Sequence, residues 1–342
     1  MNKKFKILRV LKVGSVAMRP DIITPEIEEL NKVNAELVEV FDGDKNDVKV
    51  AASDADIIFL GSVPVGRWII EAAPKCIAIM CQSVGYDAID VKAATENNIL
   101  VVNNPSFEWC IEEVSNHALT LILDCAKKVR MLDGMVREGR WTEAKKALPW
   151  MGSIYGQTLG IIGCGAIGRM VARKAKVFGL NIIGYDPYIM HPWLAKENGI
   201  TLTKLSEVLK ADYVTLHPDL NETSFHMMNE KAFDHMKPSA FLINTSRGKI
   251  VDEAAQVKAL EAKKIAGAGL DVFETEPLPK ESPLMKMENV VLLPHSASYS
   301  TPAFDLAPIN IALEVARVLT GKLPKNIVNP TVTPRVMLVK GK

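Results

Sequence analysis

Two α/β domains, each a mostly parallel sheet covered by helices, are what this sequence predicts. Three observations carry the prediction. Short β-branched runs alternate with longer amphipathic ones through nearly the whole chain, as strands and covering helices do. One strand-like run ends in a glycine-rich turn, Gly163 to Gly168, that opens a helix. The 342 residues also exceed the roughly 250 to 300 at which a single core stops growing.

Taken in order, the first series offers the strands FKILRVLKV, AELVEVFD, DADIIFLG, CIAIMC and ILVVN, with helical stretches PEIEELNKVN, a short piece around VKVAAS, and DVKAATENN between them. Glu112 to Arg130, EEVSNHALTLILDCAKKVR, carries apolar residues at threefold and fourfold spacing and reads as one long helix bridging two domains. A second series follows: TLGIIG, a helix from Ala166 to Phe178, NIIGYD, LSEVLK, DYVTLH, a helix after Asn229, AFLINT, a helix from Asp252 to Lys264, AGAGLDV and NVVLLPH. The last helix, Ala303 to Thr320, stops at Gly321, and the proline-bearing LPKNIVNPTVTP cannot continue it. Because the second series is complete at His295, this helix either stays with it or returns to the first domain.

Lys plus Arg number 41 and Asp plus Glu 40, so no strong field draws the chain to nucleic acid or anionic lipid. Five cysteines, Cys76, Cys81, Cys110, Cys125 and Cys164, form no CxxC pair and leave one over, which argues for a reducing compartment and against a disulfide framework or a cysteine-rich metal site. Apolar runs such as Ile57 to Gly61 fall far short of the roughly 18 residues that cross a bilayer. The start, MNKKFKILRVLKV, is broken by Lys6, Arg9 and Lys12 and reads as a first strand, not a signal peptide. A cytoplasmic location, no membrane and no metal are the expectations.

The stretch Thr158 to Asp186 carries the clearest local chemistry. In Gly163-Cys164-Gly165-Ala166-Ile167-Gly168 the first glycine makes the tight turn, the second lets backbone reach a pyrophosphate, and the third lets helix and strand approach. Amides around Ala166 and Ile167, at the helix start, can hold phosphate charge. Asp186 ends the next strand, where a carboxylate takes two hydrogen bonds from an adenosine ribose and repels a 2′-phosphate. With Pro187 and not an arginine after it, NAD(H) is expected over NADP(H).

Ligands of such a sheet lie beyond the C-terminal strand ends. Those ends supply His217, Asn244 to Gly248, Asp271 with Glu276, and His295. Hydride transfer to a keto acid needs a partner for the carboxylate and ketone oxygen, a proton donor, and a group that keeps the donor charged. Arg247 suits the first because a guanidinium makes two hydrogen bonds to a carboxylate; His295 suits the second, and Glu276 the third. Singly, each has a plainer explanation as a strand cap, a solvated acid or a turn residue; their combination on consecutive strand ends favours chemistry. His217, before Pro218, is given a cofactor-side role. His117, His226 and His235 are read as structural and His191 as surface, and none shows metal-ligand spacing.

LGIIGCGAIG, FLINTSRGKIVDEAAQVKAL, AGAGLDVFETEPLP and NVVLLPHSAS, in this order, resemble the signatures of the D-isomer-specific 2-hydroxyacid dehydrogenase family, and the likeness covers nearly the whole chain. It implies that Arg247, Glu276 and His295 are the catalytic arginine, glutamate and histidine. It also implies that Asp186 meets the adenosine ribose, that Ala166 and Ile167 face phosphate, and that Thr245, Arg247, Asp271 and His295 to Ser298, Ala297 included, line the nicotinamide side. Ser83-Val84-Gly85-Tyr86-Asp87 resembles the loop whose amides hold the substrate carboxylate; without the likeness it reads equally well as a turn before a helix. The implied architecture is a Rossmann-type doubly wound NAD-binding domain, residues 105–298, and a smaller flavodoxin-like substrate domain, residues 1–104 and 299–342, with a cleft between them. A homodimer through the cofactor domain is implied too. The Glu112 to Arg130 stripe suits that interface, or equally a core within one chain.

Three features depart from the family pattern. PSFEWCIEEVSNH is longer than the usual joint and brings Phe107, Trp109 and Cys110 near the expected nicotinamide pocket. HPDLNETSFH is more like a branch containing transcriptional corepressors, and the sequence ends at Lys342 with no appended small-molecule-sensing domain. The expected activity is interconversion of a small 2-keto acid and its D-2-hydroxy acid, with glyoxylate or hydroxypyruvate first. D-lactate or D-3-phosphoglycerate, formate or phosphite oxidation, or a corepressor-like NAD-sensing protein are the alternatives. A phosphoglycerate substrate would want cations near the carboxylate loop, for which only Arg67 and Lys75 offer themselves; Trp68 beside them is as much a core as a pocket residue.

Overall fold

The computed structural model describes residues 4–13, 20–104, 108–147 and 152–339, and the chain divides into two compact units, Met1–Glu108 with Ser300–Lys342, and Trp109–Tyr299. Unit 1 runs β1 (Phe5–Leu11), α1 (Pro20–Asn31), β2 (Ala35–Phe41), α2 (Lys45–Ser53), β3 (Ile57–Phe59), α3 (Arg67–Ile70), β4 (Ala78–Met80), α4 (Val91–Glu96) and β5 (Leu100–Val102). Its five strands are all parallel in the order β2-β1-β3-β4-β5.

Both faces of that sheet are buried, and the twofold strand period sorts consecutive residues between them. Leu8, Val10, Ile58, Ile79 and Val101 pack with residues of α2, α3 and α4, whereas Ile7, Ile57, Phe59, Met80, Leu100 and Val102 face the opposite way. The second face is covered by the last helix of the chain, α13 (Thr301–Leu319), through Ile311, Ala312, Val315 and Val318. Burial of each of its three β-branched side chains contributes about 1.5 to 3 kcal/mol. Beyond α13, Asn329 accepts from the Val101 amide at 2.8 Å and Arg335 donates to the Asn97, Pro74 and Cys76 carbonyls, which ties the tail to the same unit.

Unit 2 begins with α5 (Glu108–Lys127), α6 (Val129–Arg137) and α7 (Trp141–Ala147). It continues through β6 (Thr158–Ile162), α8 (Ala166–Val177), β7 (Asn181–Tyr185), α9 (Pro192–Glu197), β8 (Thr201–Leu202), α10 (Leu205–Val208), β9 (Tyr213–Leu216), α11 (Glu230–Asp234), β10 (Phe241–Asn244), α12 (Glu253–Glu261), β11 (Gly267–Leu270) and β12 (Val290–Leu292). The seven parallel strands lie in the order β12-β11-β10-β9-β6-β7-β8, a doubly wound sheet whose strand order switches direction between β6 and β9. α5 and α8 cover one face and α10, α11 and α12 the other.

The long helix expected from Glu112 to Arg130 is two helices. Lys128 sits in the left-handed region with φ 52°, and the Asp124 carboxylate takes the Arg130 amide at 2.8 Å, which ends α5 and starts α6. Periodicity ran through the joint because both helices are amphipathic. The α5 stripe of Ala118, Leu119, Leu121, Ile122 and Ala126 is core of unit 2, while α6 buries no residue. Among the described residues no helix is long and apolar enough to cross a membrane.

Candidate active site

The turn from β6 to α8 shows what each glycine is for. Gly163 has φ +88°, and a Cβ there would stand 2.5 Å from the Pro218 nitrogen. At Gly168 a Cβ would strike the Gly163 carbonyl oxygen at 2.1 Å, so helix and strand meet only because no side chain intervenes. Gly165, the N-cap of α8, is the opposite case: an added Cβ would meet nothing within 4 Å, and no side chain caps the amides of Ala166 and Ile167 behind it. Open space before bare amides at the start of a twelve-residue helix fits a pyrophosphate. The Asp186 carboxylate lies at the end of β7, where Oδ2 accepts from the Cys164 amide at 2.9 Å and Oδ1 from the Tyr188 amide at 2.9 Å. The Asp186 carboxylate is thus fastened to the glycine turn itself.

Four adjacent strands bring their C-terminal ends side by side. After β9, His217 bonds through Nε2 to Thr215 Oγ1 at 2.9 Å, and burial holds its pKa down to about 3, so it is neutral. After β10, Asn244 clamps the next turn, donating to the Arg247 carbonyl at 2.9 Å and accepting from the Ser246 amide at 3.0 Å, while Ser246 Oγ donates to the Pro218 carbonyl at 2.5 Å. Buried Thr245 keeps Oγ1 without a partner, an orphaned polar atom of the kind a cofactor amide satisfies. After β11, buried Asp271 accepts from the amides of Ser296 and Ala297, each at 2.8 Å. Ser298 follows, half-buried, in the same turn.

After β12 comes His295, with its ring Nδ1 2.7 Å from Glu276 Oε2. The other Glu276 oxygen accepts from the Phe273 amide at 3.1 Å. The hydrogen bond to Glu276 pushes the His295 pKa above its ordinary value, ahead of burial and the Arg247 charge, which oppose it, and of the Glu276 and Asp271 charges, which assist. Burial would raise Glu276, but the His295 bond, the Phe273 amide and the charges of His295 and Arg247 outweigh it and hold the carboxyl low. Arg247 is half-buried, with Nη1 on the Ser246 carbonyl at 2.8 Å. Arg247, Glu276 and His295 are therefore brought within electrostatic reach of one another. An imidazolium held by a carboxylate and standing beside a guanidinium can deliver a proton to an anionic acceptor.

Cys110 is buried in the first turns of α5 near Arg247; burial pushes its thiol to about 11, with the guanidinium opposing. Phe107 and the Trp109 side chain lie outside the described residues. Ser83, Val84 and Gly85 follow β4 in unit 1, and every carbonyl of the three is engaged: Ser83 by the Asn104 amide at 3.1 Å, Val84 by Asn103 Nδ2 at 2.5 Å, Gly85 by Ser83 Oγ at 2.8 Å. Among the described residues their amides donate to nothing. Arg67 is paired with Glu71 and Glu96 and Lys75 with Asp54, and Trp68 packs on the unit 1 core. Asn244 and Ser246, which hold the Arg247 turn, carried no sequence signal of their own beyond their place in that turn.

Residues 119–297 match the family described as D-isomer specific 2-hydroxyacid dehydrogenase, NAD binding domain, and over 278 residues the chain is 42% identical to a glyoxylate reductase of Korarchaeum cryptofilum, covering 81% of this chain and 83% of that one. The chain belongs to the D-isomer-specific 2-hydroxyacid dehydrogenase family. It is an NAD(P)-dependent oxidoreductase acting on a CH–OH donor, with a small 2-hydroxy or 2-keto acid as substrate. A D-3-phosphoglycerate dehydrogenase of Methanocaldococcus jannaschii is 37% identical over 93% of this chain, which spans 61% of that longer relative. Among solved structures, a D-lactate dehydrogenase of Aquifex aeolicus complexed with NAD and lactic acid superposes with TM-score 0.79 at 26% identity, over 92% of this chain and 96% of that one. An NADPH-dependent glyoxylate/hydroxypyruvate reductase of Sinorhizobium meliloti, in complex with NADP and malonate, gives 0.79 at 27%, over 98% and 100%. Members of this dehydrogenase family thus use either dinucleotide.

Proposed function

We propose that this dehydrogenase reduces glyoxylate or hydroxypyruvate with NADH, and that Arg247, Glu276 and His295 are its catalytic residues. The observation that carries the assignment is the 2.7 Å His295–Glu276 pair with the Arg247 charge beside it. When bound, the nicotinamide dinucleotide supplies the hydride. Arg247 pairs with the substrate carboxylate and polarises the ketone oxygen. Glu276 occupies Nδ1 of His295, so Nε2 is the atom that delivers the proton to that oxygen, and in the reverse direction removes it. Because the His295 pKa is raised, the charged donor persists to higher pH than on an ordinary imidazole and is lost as pH rises through the raised value.

For the cofactor, Gly163, Gly165, Ala166, Ile167 and Gly168 form the pyrophosphate cradle, Asp186 takes the ribose hydroxyls, and His217, Thr245, Asp271, Ala297 and Ser298 border the nicotinamide end. The Asp186 charge favours NADH. The Ser83–Gly85 amides, with their carbonyls already committed, are the substrate carboxylate subsite. Two features favour a small unphosphorylated acid: the glyoxylate reductase likeness, and the neutralisation of Arg67 and Lys75 by acids. A homodimer through unit 2 is supported by α6, which buries none of Val129, Met131, Leu132, Met135 or Val136.

The test is NADH oxidation, followed by absorbance, with glyoxylate, hydroxypyruvate, pyruvate, 3-phosphohydroxypyruvate and bulkier 2-keto acids. Highest kcat/KM on the first two is expected, together with loss of turnover but not of NADH binding in Arg247→Ala. Preference for the phosphorylated acid, or full turnover in that variant, overturns the assignment.

A further inference from the structure

His117 is a half-buried histidine that the chemistry above leaves unused. Its place follows from the register of α5 on β11. A Cβ at Gly269 would stand 3.0 Å from the Leu121 Cβ, so the helix rides on the strand where the strand has no side chain. Four residues back along α5, about 6 Å, is His117. Two residues forward along the strand direction, about 6.6 Å, is Asp271. The matched steps bring His117 Nε2 to 3.4 Å from Asp271 Oδ1. That nitrogen is closed to solvent, and the Asp271 carboxylate is the acceptor it faces, at the long end of hydrogen-bond distance.

Asp271 in turn anchors three successive amides. Its carboxylate takes those of Ser296 and Ala297, and its backbone carbonyl takes that of His295 at 2.8 Å. His295 needs the anchorage, since its φ of +53° lies in the left-handed region, which is strained for a residue with a Cβ. The charged groups acting on the His295 ring are Glu276, Arg247 and Asp271.

We propose that His117 is a positioning residue of the active site: by holding the Asp271 carboxylate it keeps the His295–Ala297 turn in place, and with it the His295 ring on Glu276. This rests on His295 being the proton donor. His117→Leu fills the space without an N–H, whereas His117→Gln keeps one within reach of Asp271, so the pair separates packing from polar contact. In the Leu variant kcat for keto-acid reduction should fall between about tenfold and a hundredfold. The alkaline limb of its pH profile should move to lower pH as the ring loses Glu276. The Gln variant should recover most of kcat and the wild-type limb. Equal kcat and equal pH limbs in the two variants overturn the proposal. His295→Asn is measured alongside. If it abolishes turnover while His117→Leu is unaffected, the positioning role alone fails; if it retains turnover, the proton-donor assignment fails and takes the proposal with it.

Discussion

Gly248→Ala tests whether the Arg247 turn and the Glu276 loop are held at a spacing that chemistry needs. Gly248 follows Arg247 and packs directly on the backbone preceding Glu276: a Cβ would stand 1.9 Å from both the carbonyl carbon and oxygen of Phe273 and 2.5 Å from the Glu274 nitrogen. The nearest approach is about 1.5 Å short of the 3.4 Å at which ordinary contact begins, and the obstructing atoms are backbone, so no side chain can swing aside. The two segments must separate by about that distance. Since the Phe273 amide holds Glu276 and Glu276 holds His295, the displacement falls between Arg247 and the proton donor. A misplacement of about 1 Å costs on the order of a hundredfold in rate, so kcat should fall about a hundredfold or more. Overpacking should cost about 1 to 3 kcal/mol of stability, leaving a folded protein. Stopped-flow or steady-state NADH oxidation gives kcat, NADH fluorescence titration gives cofactor affinity, and a thermal melt establishes folding. A folded variant with kcat within about threefold of wild type would refute the reasoning that joins these two segments to the rate.

Glu276→Gln removes the largest contribution raising the His295 pKa, so the alkaline limb of keto-acid reduction should shift to lower pH; a limb that stays put in a folded variant would count against the pairing. Replacing Asp186 with Asn should raise kcat/KM for NADPH relative to NADH, because the charge that repels a 2′-phosphate is gone; an unchanged ratio would remove Asp186 from the discrimination. If the chain pairs through α6 as proposed, it should sediment as a dimer at micromolar concentration and Leu132→Glu together with Val136→Lys should leave a monomer with unit 2 still folded, since neither residue is buried; a variant that still sediments as a dimer would place the interface elsewhere.

The strands and the glycine turn were legible because their signals are short-range. A period of two sorts Ile7 from Leu8 and Ile57 from Ile58, a period of 3.6 marks the α5 stripe, and three glycines at fixed spacing state which backbone atoms must come close. Arg247, Glu276 and His295 were legible for the same reason, each lying at or just past the end of a recognisable strand. The two-helix break at Lys128 was not, since one left-handed residue leaves the apolar period intact on both sides. Nor was the pairing of Arg67 and Lys75 with acids, because Glu96 and Asp54 lie on elements far along the chain.

By itself the sequence determined every strand but the short edge strand β8, where the glycine turn lies, and which polar groups stand at the ends of the second sheet. Tertiary structure alone decided that α13 packs Ile311, Ala312, Val315 and Val318 on the unit 1 sheet, that Gly269 admits α5 closely enough for His117 to meet Asp271, and that Glu276 reaches Nδ1 of His295. The difference is one of range. Local periodicity is written into neighbouring residues, whereas these contacts join residues from separate elements and depend on the angle and register at which whole elements pack, which no single segment encodes.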